Sequence, residues 1–208
     1  MMDPSAPILG LILSGGRSRR MGGGDKCLQS LGGKPILSYV IERVQPQVDR
    51  IVINANDDPA RFSGFNLPVV ADGIGDFAGP LAGVLAGLDW AADNLPGCQY
   101  VASIPGDGPF PPRDLVHRLQ VEVSLGAEIA TASCAGQVYP VVGLWPVALR
   151  EALRQSLTVE HVHKVDAWTA HYACKVVQFS ALPINPFFNI NTPEDLVGAE
   201  RLLAKAGP

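Results

Sequence analysis

The sequence predicts an α/β chain with three layers, α/β/α, built around a mostly parallel sheet. Two observations carry that expectation. Apolar strand-like runs alternate with helix-like segments along the chain. The runs are nearly continuous in Val, Ile, Leu and Ala, as strands covered on both faces are, rather than alternating with polar residues. With 208 residues, 47% of them hydrophobic, the chain can bury a sizeable core. No linker, repeat or low-complexity block divides it, so one domain over residues 1–208 is expected.

The elements follow in order. Ile8–Leu13 reads as a buried strand and Pro35–Val48 as a helix with proline at its start, where the missing N–H costs nothing. Arg50–Asn54 and Leu67–Ala71 read as the second and third strands. Pro80–Ala92 is a helix whose small residues (Ala82, Gly83, Ala86, Gly87) allow close packing on a sheet. Gln99–Ile104 is a fourth strand and Arg113–Val123 a helix. Ala127–Ala132 and Tyr139–Trp145 read as strands, Pro146–Gln155 as a helix, and Lys175–Phe179 as the last strand. Thr192-Pro193-Glu194-Asp195 opens a C-terminal helix, with an N-cap threonine, proline at the first helical position and acids in the first turn.

Composition narrows the function classes. A net charge of −4 provides no global field toward nucleic acid or an anionic membrane. No apolar run approaches the ~20 residues of a membrane span, and Ile8–Leu13 is too short for a secretory core, so a cytoplasmic protein is expected. The four cysteines, Cys27, Cys98, Cys134 and Cys174, form no C-x-x-C pair, which argues against zinc and a disulfide framework.

Basic charge is concentrated instead in Leu13-Ser14-Gly15-Gly16-Arg17-Ser18-Arg19-Arg20-Met21-Gly22-Gly23-Gly24-Asp25-Lys26, where five glycines and four cations share fourteen residues directly after a strand. Glycine lets backbone N–H groups approach an anion, and Arg and Lys supply charge, so the loop reads as a polyphosphate cradle. It is neither of the two commonest phosphate loops. Gly22-Gly23-Gly24 lead into Asp25-Lys26-Cys27, without the Ser/Thr of a Walker A motif, and Gly15, Gly16 and Gly22 do not fit G-x-G-x-x-G. Within the loop, Lys26 and Arg20 are candidates for neutralising a triphosphate or a departing pyrophosphate. Asp25 pairs with Lys26 or Arg20, or is solvated.

In parallel sheets ligands lie beyond the carboxyl ends of the strands, and polar residues recur there: the glycine loop, Asn54, Asp72 and Asp107. Asn54 and Asp72 are candidates for reading a base or ribose, or are turn formers. Asp107, in Pro105-Gly106-Asp107-Gly108-Pro109, is a candidate Mg²⁺ ligand or an aspartate capping its own turn. His161-Val162-His163 would share a face on a strand, but no nearby cysteine completes a ligand set and surface histidines are the simpler reading. The chain has no G-x-S-x-G elbow of a serine hydrolase.

The loop, Leu31-Gly32-Gly33-Lys34-Pro35-Ile36-Leu37, Ile53-Asn54-Ala55-Asn56, Gly79-Pro80-Leu81-Ala82-Gly83, Asp107-Gly108-Pro109-Phe110 and Phe188-Asn189-Ile190-Asn191-Thr192-Pro193-Glu194 together resemble the molybdenum cofactor guanylyltransferases, in nearly end-to-end order. The resemblance implies a Rossmann-like nucleotidyltransferase fold and transfer of GMP from GTP to molybdopterin cofactor, with Mg²⁺ required. By motif position it implies that Leu13, Ser14, Gly15, Lys26, Asn54, Asp72 and Asp107 bind GTP. It further implies that Asp107 holds the metal, that Arg20 contacts phosphates, and that Asn189 and Asn191 lie on the pterin side. Molybdoenzyme-maturation proteins are candidate further partners. The competing readings are a cytidylyltransferase of the same cofactor and a non-catalytic binding chaperone of the same fold. The Asp-Lys pair and Gly-Pro-Leu-Ala-Gly favour guanine, and retention of Lys26 and Asp107 favours catalysis. The chain departs from the family pattern at Ser14, where alanine is usual. It departs again at Gly106 and Gly108, where a small side chain and Thr/Ser are usual, and these two glycines are expected to loosen the turn around Asp107.

Overall fold

The structure, a computed structural model, describes residues 3, 5–15, 25–74 and 79–206. Seven strands form the central sheet: β1 (Ile8–Leu13), β4 (Arg50–Asn54), β5 (Val69–Val70), β6 (Tyr100–Pro105), β7 (Ile129–Cys134), β8 (Gln137–Pro146) and β9 (Cys174–Phe179), in the order β5-β4-β1-β6-β8-β7-β9. Only β8 runs against its neighbours, β6 and β7. The pairs β1 with β4, β1 with β6, β4 with β5 and β7 with β9 are parallel. A small antiparallel ribbon, β2 (Ser30–Leu31) and β3 (Lys34–Pro35), lies outside the sheet. Its turn places Gly32 and Gly33 at φ of 57° and 91°, a region that costs a residue with a Cβ.

The helices are α1 (Ile36–Val44), α2 (Pro80–Asn94), α3 (Leu115–Ser124), α4 (Arg150–Thr158), α5 (Val165–Thr169) and α6 (Pro193–Ala206). Strand period two divides β1 between two layers. Ile8 and Ile12 pack with Leu37, Val40 and Val44 of α1 and Leu115 and Leu119 of α3. Leu9 and Leu11 pack with Leu81, Val84, Leu85 and Leu88 of α2 and with Trp145 and Trp168. At about 25 cal/mol per Å² of apolar surface, these two interfaces supply most of the driving force for folding. The small residues of α2 earn their place here. A Cβ on Gly87 would stand 2.6 Å from Leu11 Cδ2, and one on Gly83 would collide with Asn54 Oδ1.

A third cluster (Leu31, Ile36, Phe110, Ile190 and Ala199) seats α6 against the ribbon. The N-terminus of α6 is closed reciprocally. Thr192 Oγ1 accepts from Asp195 N at 3.2 Å, and Asp195 Oδ2 accepts from Asn191 N and Thr192 N, each at 2.9 Å.

Several element boundaries differ from expectation. The first helix ends at Val44 and passes into a 3₁₀ turn, Gln45–Gln47, because Pro46 has no N–H to continue it. The third strand shrinks to Val69–Val70 behind Pro68. The helix expected from Pro146 begins at Arg150, after a 3₁₀ turn at Val147–Leu149. His161 and His163 lie in an irregular segment rather than on a strand, with His161 at φ 54°. Among the described residues no helix is long and apolar enough to cross a membrane.

Candidate active site

The strand-end residues named from sequence converge. Beyond the last residue of β1, Ser14 N donates to Asn54 O at 2.8 Å, and Gly106 N donates to Leu13 O at 2.8 Å. The ends of β4, β1 and β6 are thereby laced together just before the chain opens into Gly15, Asn56 and Asp107. Arg20 and the remainder of the glycine loop, residues 16–24, lie outside the described residues.

On the β4/β5 side, Asn54, Asn56 and Asp72 form a closed network. Asn54 Nδ2 donates to Asp72 Oδ1 at 2.8 Å and to Val70 O at 3.2 Å. Asn56 Nδ2 donates to Asp72 Oδ2 at 2.7 Å, and Asp72 N donates to Asn56 Oδ1 at 2.8 Å. The amide orientation of Asn54 is dictated by chemistry, since both partners of its nitrogen are acceptors. Both of its N–H groups are therefore spent. Asn54 is buried, and its Oδ1 lies over Gly83, where any Cβ would displace it. What the network still offers is acceptors only: Asn54 Oδ1 and the remaining lone pairs of the Asp72 carboxylate.

On the β6 side stands Asp107, whose backbone oxygen accepts from Ile190 N at 3.0 Å, tying the turn to the C-terminal segment. Burial pushes its carboxyl pKa up, against the opposing charge of Lys26 and a bond from its own backbone. Lys26 Nζ donates to Asn191 Oδ1 at 2.6 Å. Asn189 lies against the same turn, with its Oδ1 2.9 Å from where a Cβ on Gly108 would be. Lys26, Asp107, Asn189 and Asn191 are thus one neighbourhood, separate from the acceptor network by the width of β1.

The departures at Ser14 and Gly106 turn out to be one feature. A Cβ on Gly106 would stand 2.5 Å from Ser14 Oγ and 3.3 Å from Leu13 O, so glycine at 106 makes room for the serine hydroxyl. That hydroxyl is buried and faces the Cys27 thiol, with no strong hydrogen-bond partner among the described residues. The two glycines permit close packing of the turn against Ser14 and Asn189. Burial chiefly, with the Asp25 and Asp107 carboxylates, pushes the Cys27 thiol up to about 11 despite the Ser14 hydroxyl, so it stays neutral. Among the described residues Asp25 pairs with neither Lys26 nor solvent, Arg20 lying outside them. It is nearly buried and pairs with Arg61 Nη2 at 2.9 Å, anchoring the segment before Lys26 to the 3₁₀ stretch Pro59–Phe65. Burial raises its pKa, Arg61 opposes that shift, and Asp57 adds to it.

Sequence reasoning did not single out Arg61 or the role of Asn56. Arg61 carries no local signal, because its partner is far away in the chain. Asn56 was visible in the polar string after β4, but a turn explains such a string equally well. Among the described residues no group of three or more His, Cys, Asp or Glu could hold a metal. Near Lys26, Asp195 is spent on the N-terminus of α6 and Asp25 on Arg61, which leaves the desolvated Asp107 as the carboxylate available to an ion among the described residues. A desolvated carboxylate with a raised pKa gains from a nearby cation, and Mg²⁺ commonly takes one or two carboxylates plus substrate phosphates, so the residues present fit such an ion.

A MobA-like NTP transferase domain model matches residues 10–173. A molybdenum cofactor guanylyltransferase of Nitrobacter hamburgensis is 52% identical over 202 residues, covering 97% of both chains. The chain belongs to the molybdenum cofactor guanylyltransferase family. It is accordingly a nucleotidyltransferase. The family's fold is matched in solved structures at much lower identity. Molybdopterin-guanine dinucleotide biosynthesis protein A from Archaeoglobus fulgidus superposes with a TM-score of 0.72 at 20% identity, over 95% of this chain and 99% of that one. A Mycobacterium tuberculosis protein solved in complex with manganese superposes with a TM-score of 0.68 at 15% identity, over 95% and 100%.

Proposed function

We propose that this protein, acting as one domain over residues 1–208 in the cytoplasm, transfers GMP from GTP to molybdopterin cofactor. The products are the guanine dinucleotide form of the cofactor and pyrophosphate. A terminal phosphate oxygen of the pterin cofactor forms a bond to the α-phosphorus of GTP. The bond from that phosphorus to the oxygen bridging the β-phosphate breaks, and its electron pair leaves with pyrophosphate.

The observation that supports guanine is the acceptor-only edge of Asn54 and Asp72. Guanine presents two adjacent donors, N1–H and the 2-amino group, whereas cytosine presents one amino donor beside ring acceptors. An acceptor pair satisfies the first and leaves the second facing unpaired lone pairs, which is the stronger basis for rejection. Leu13, Ser14 and Gly15 would contribute backbone groups beside this edge, since Ser14's side chain is turned toward Gly106 and Cys27.

Lys26, held by Asn191, would offset the charge accumulating on pyrophosphate, with Arg20 of the glycine loop assisting. Asp107 would hold Mg²⁺, which when bound supplies charge neutralisation between phosphate oxygens. Asn189 and Asn191 would face the pterin side, where they border both Lys26 and the Asp107 turn.

The reaction class is tested by isotopic fate. With Mg²⁺ and molybdopterin cofactor, label in the α-phosphate of GTP is expected in the dinucleotide product, and label in the γ-phosphate in pyrophosphate. Label released as free GMP, or no product at all, would overturn the reading in favour of hydrolysis or non-catalytic binding.

A further inference from the structure

Asp72 could face a ligand in many ways, because an aspartate at a strand end rotates about two side-chain bonds. Here that freedom is removed by two neighbours, Asn54 on Oδ1 and Asn56 on Oδ2. Asn56 makes two bonds to the same residue, Nδ2 to Asp72 Oδ2 at 2.7 Å and Oδ1 from Asp72 N at 2.8 Å, closing a ring that fixes the roll of the carboxylate. With Oδ2 so held, Oδ1 turns onto Asn54 Nδ2 at 2.8 Å, and this contact with Val70 O consumes both Asn54 donors. With its donors drawn away, Asn54 keeps only its Oδ1 as an unspent polar atom, beside Gly83 and Gly15. Asn56 is itself exposed and adds nothing to the hydrophobic core. Its side chain borders the first glycine of the loop, with Nδ2 3.9 Å from the position of a Cβ on Gly15.

We infer that Asn56 is a positioning residue for base selection: it fixes Asp72 so that the Asn54–Asp72 edge presents acceptors to a purine carrying two adjacent N–H donors. This rests on the reading that Asn54 and Asp72 face the nucleotide base. Asn56 itself need not touch the nucleotide. Without it, Asp72 keeps only its bond from Asn54, its carboxylate can roll about that contact, and the edge no longer holds its acceptors in one place.

The test uses GTP and inosine triphosphate, which keeps N1–H and lacks the 2-amino donor. Dissociation constants, KM and kcat are measured for the full-length protein, Asn56→Ala, Asn56→Ser and Asp72→Asn, with melting temperature alongside. Asn56→Ala is expected to reduce the preference for GTP over inosine triphosphate about tenfold, through KM and binding, with kcat changing by no more than about twofold. Asn56→Ser, which can restore one of the two bonds, is expected to fall between. If Asp72→Asn loses the preference while Asn56→Ala keeps it, the inference is wrong and the base-reading edge stands. If neither variant changes the preference, the base-reading edge itself is wrong. Equal loss of kcat on both nucleotides with a lowered melting temperature would mean that Asn56 is merely structural, which also overturns the inference.

Discussion

The two halves of the sheet handle polar groups in opposite ways. In β6, β8, β7 and β9 they lie within strands and are satisfied internally. Trp145 Nε1 donates to Ser103 Oγ at 2.7 Å, Ser103 Oγ donates to Val141 O at 2.6 Å, and Ser133 Oγ donates to Gln178 Oε1 at 2.9 Å. At the ends of β4, β5 and β6 the polar groups are only partly satisfied: Asn54 and Asp72 retain free acceptors, and Asp107 is a carboxyl whose pKa is raised by burial in its turn. A buried polar group with all its bonds made is there for packing and register. One that is held rigid with capacity left over is available for a ligand. Their substitutions should therefore separate stability from chemistry.

The largest effect is expected at Asp107→Ala, which should lose at least about a hundredfold in turnover while its melting temperature stays near that of the parent. Near-parental turnover would move the metal elsewhere. Lys26→Ala comes next, with a loss of about a hundredfold and a change in pH dependence. Burial raises the Asp107 pKa and Lys26 holds it down, so removing Lys26 raises it further. The proton then competes for Asp107 at higher pH, and the acid limb of the residual pH–rate profile should move upward. A limb that stays in place or moves down would separate the two residues. The sign for stability follows from the same shift. The folded state binds this proton more tightly than the unfolded state, so the contribution of Asp107 to stability falls as pH rises through the raised pKa.

In the other half, Ser103→Ala leaves the buried Trp145 N–H without its acceptor and should cost about 1–3 kcal/mol in denaturant unfolding, with the choice of nucleotide unchanged. A change in nucleotide preference there would blur the distinction between the halves. Between them, Gly106→Ala should cost about 1–3 kcal/mol through its contact with Ser14 Oγ, and Ser14→Ala should recover part of that loss in a double-mutant cycle. Additive effects would mean that the two departures from the family pattern are independent. The smallest effect concerns Cys27. A thiol raised to about 11 by burial should react slowly with iodoacetamide at pH 8 in the folded protein, and rapid alkylation would contradict its packing.

The residues reveal how far such an argument can be carried from sequence. β1 and β4 are legible to the residue, because one apolar run stops at Ser14-Gly15 and the other lies between Arg50 and Asn54. α5, Val165–Thr169, was not anticipated: five residues are too few to show a helical period, and Trp168 is buried through tertiary contacts. Asn54, Asp72 and Asp107 could be named because each ends a strand, yet nothing local told Asn54 which face of its amide would remain free. Ser14 and Gly106 looked like separate departures because the contact joining them exists only where β1 and β6 lie side by side. Sequence left Asp25 open between Lys26, Arg20 and solvent, whereas its cation among the described residues is Arg61, distant in the chain. Strand ends announce chemistry from sequence; pairings across the sheet do not.

The most direct measurement is the ratio of kcat/KM for GTP to that for CTP, with Mg²⁺ and molybdopterin cofactor, followed by pyrophosphate release. An acceptor-only edge at Asn54 and Asp72 should favour GTP by at least about a hundredfold. Equal use of the two nucleotides, or a preference for CTP, would contradict it.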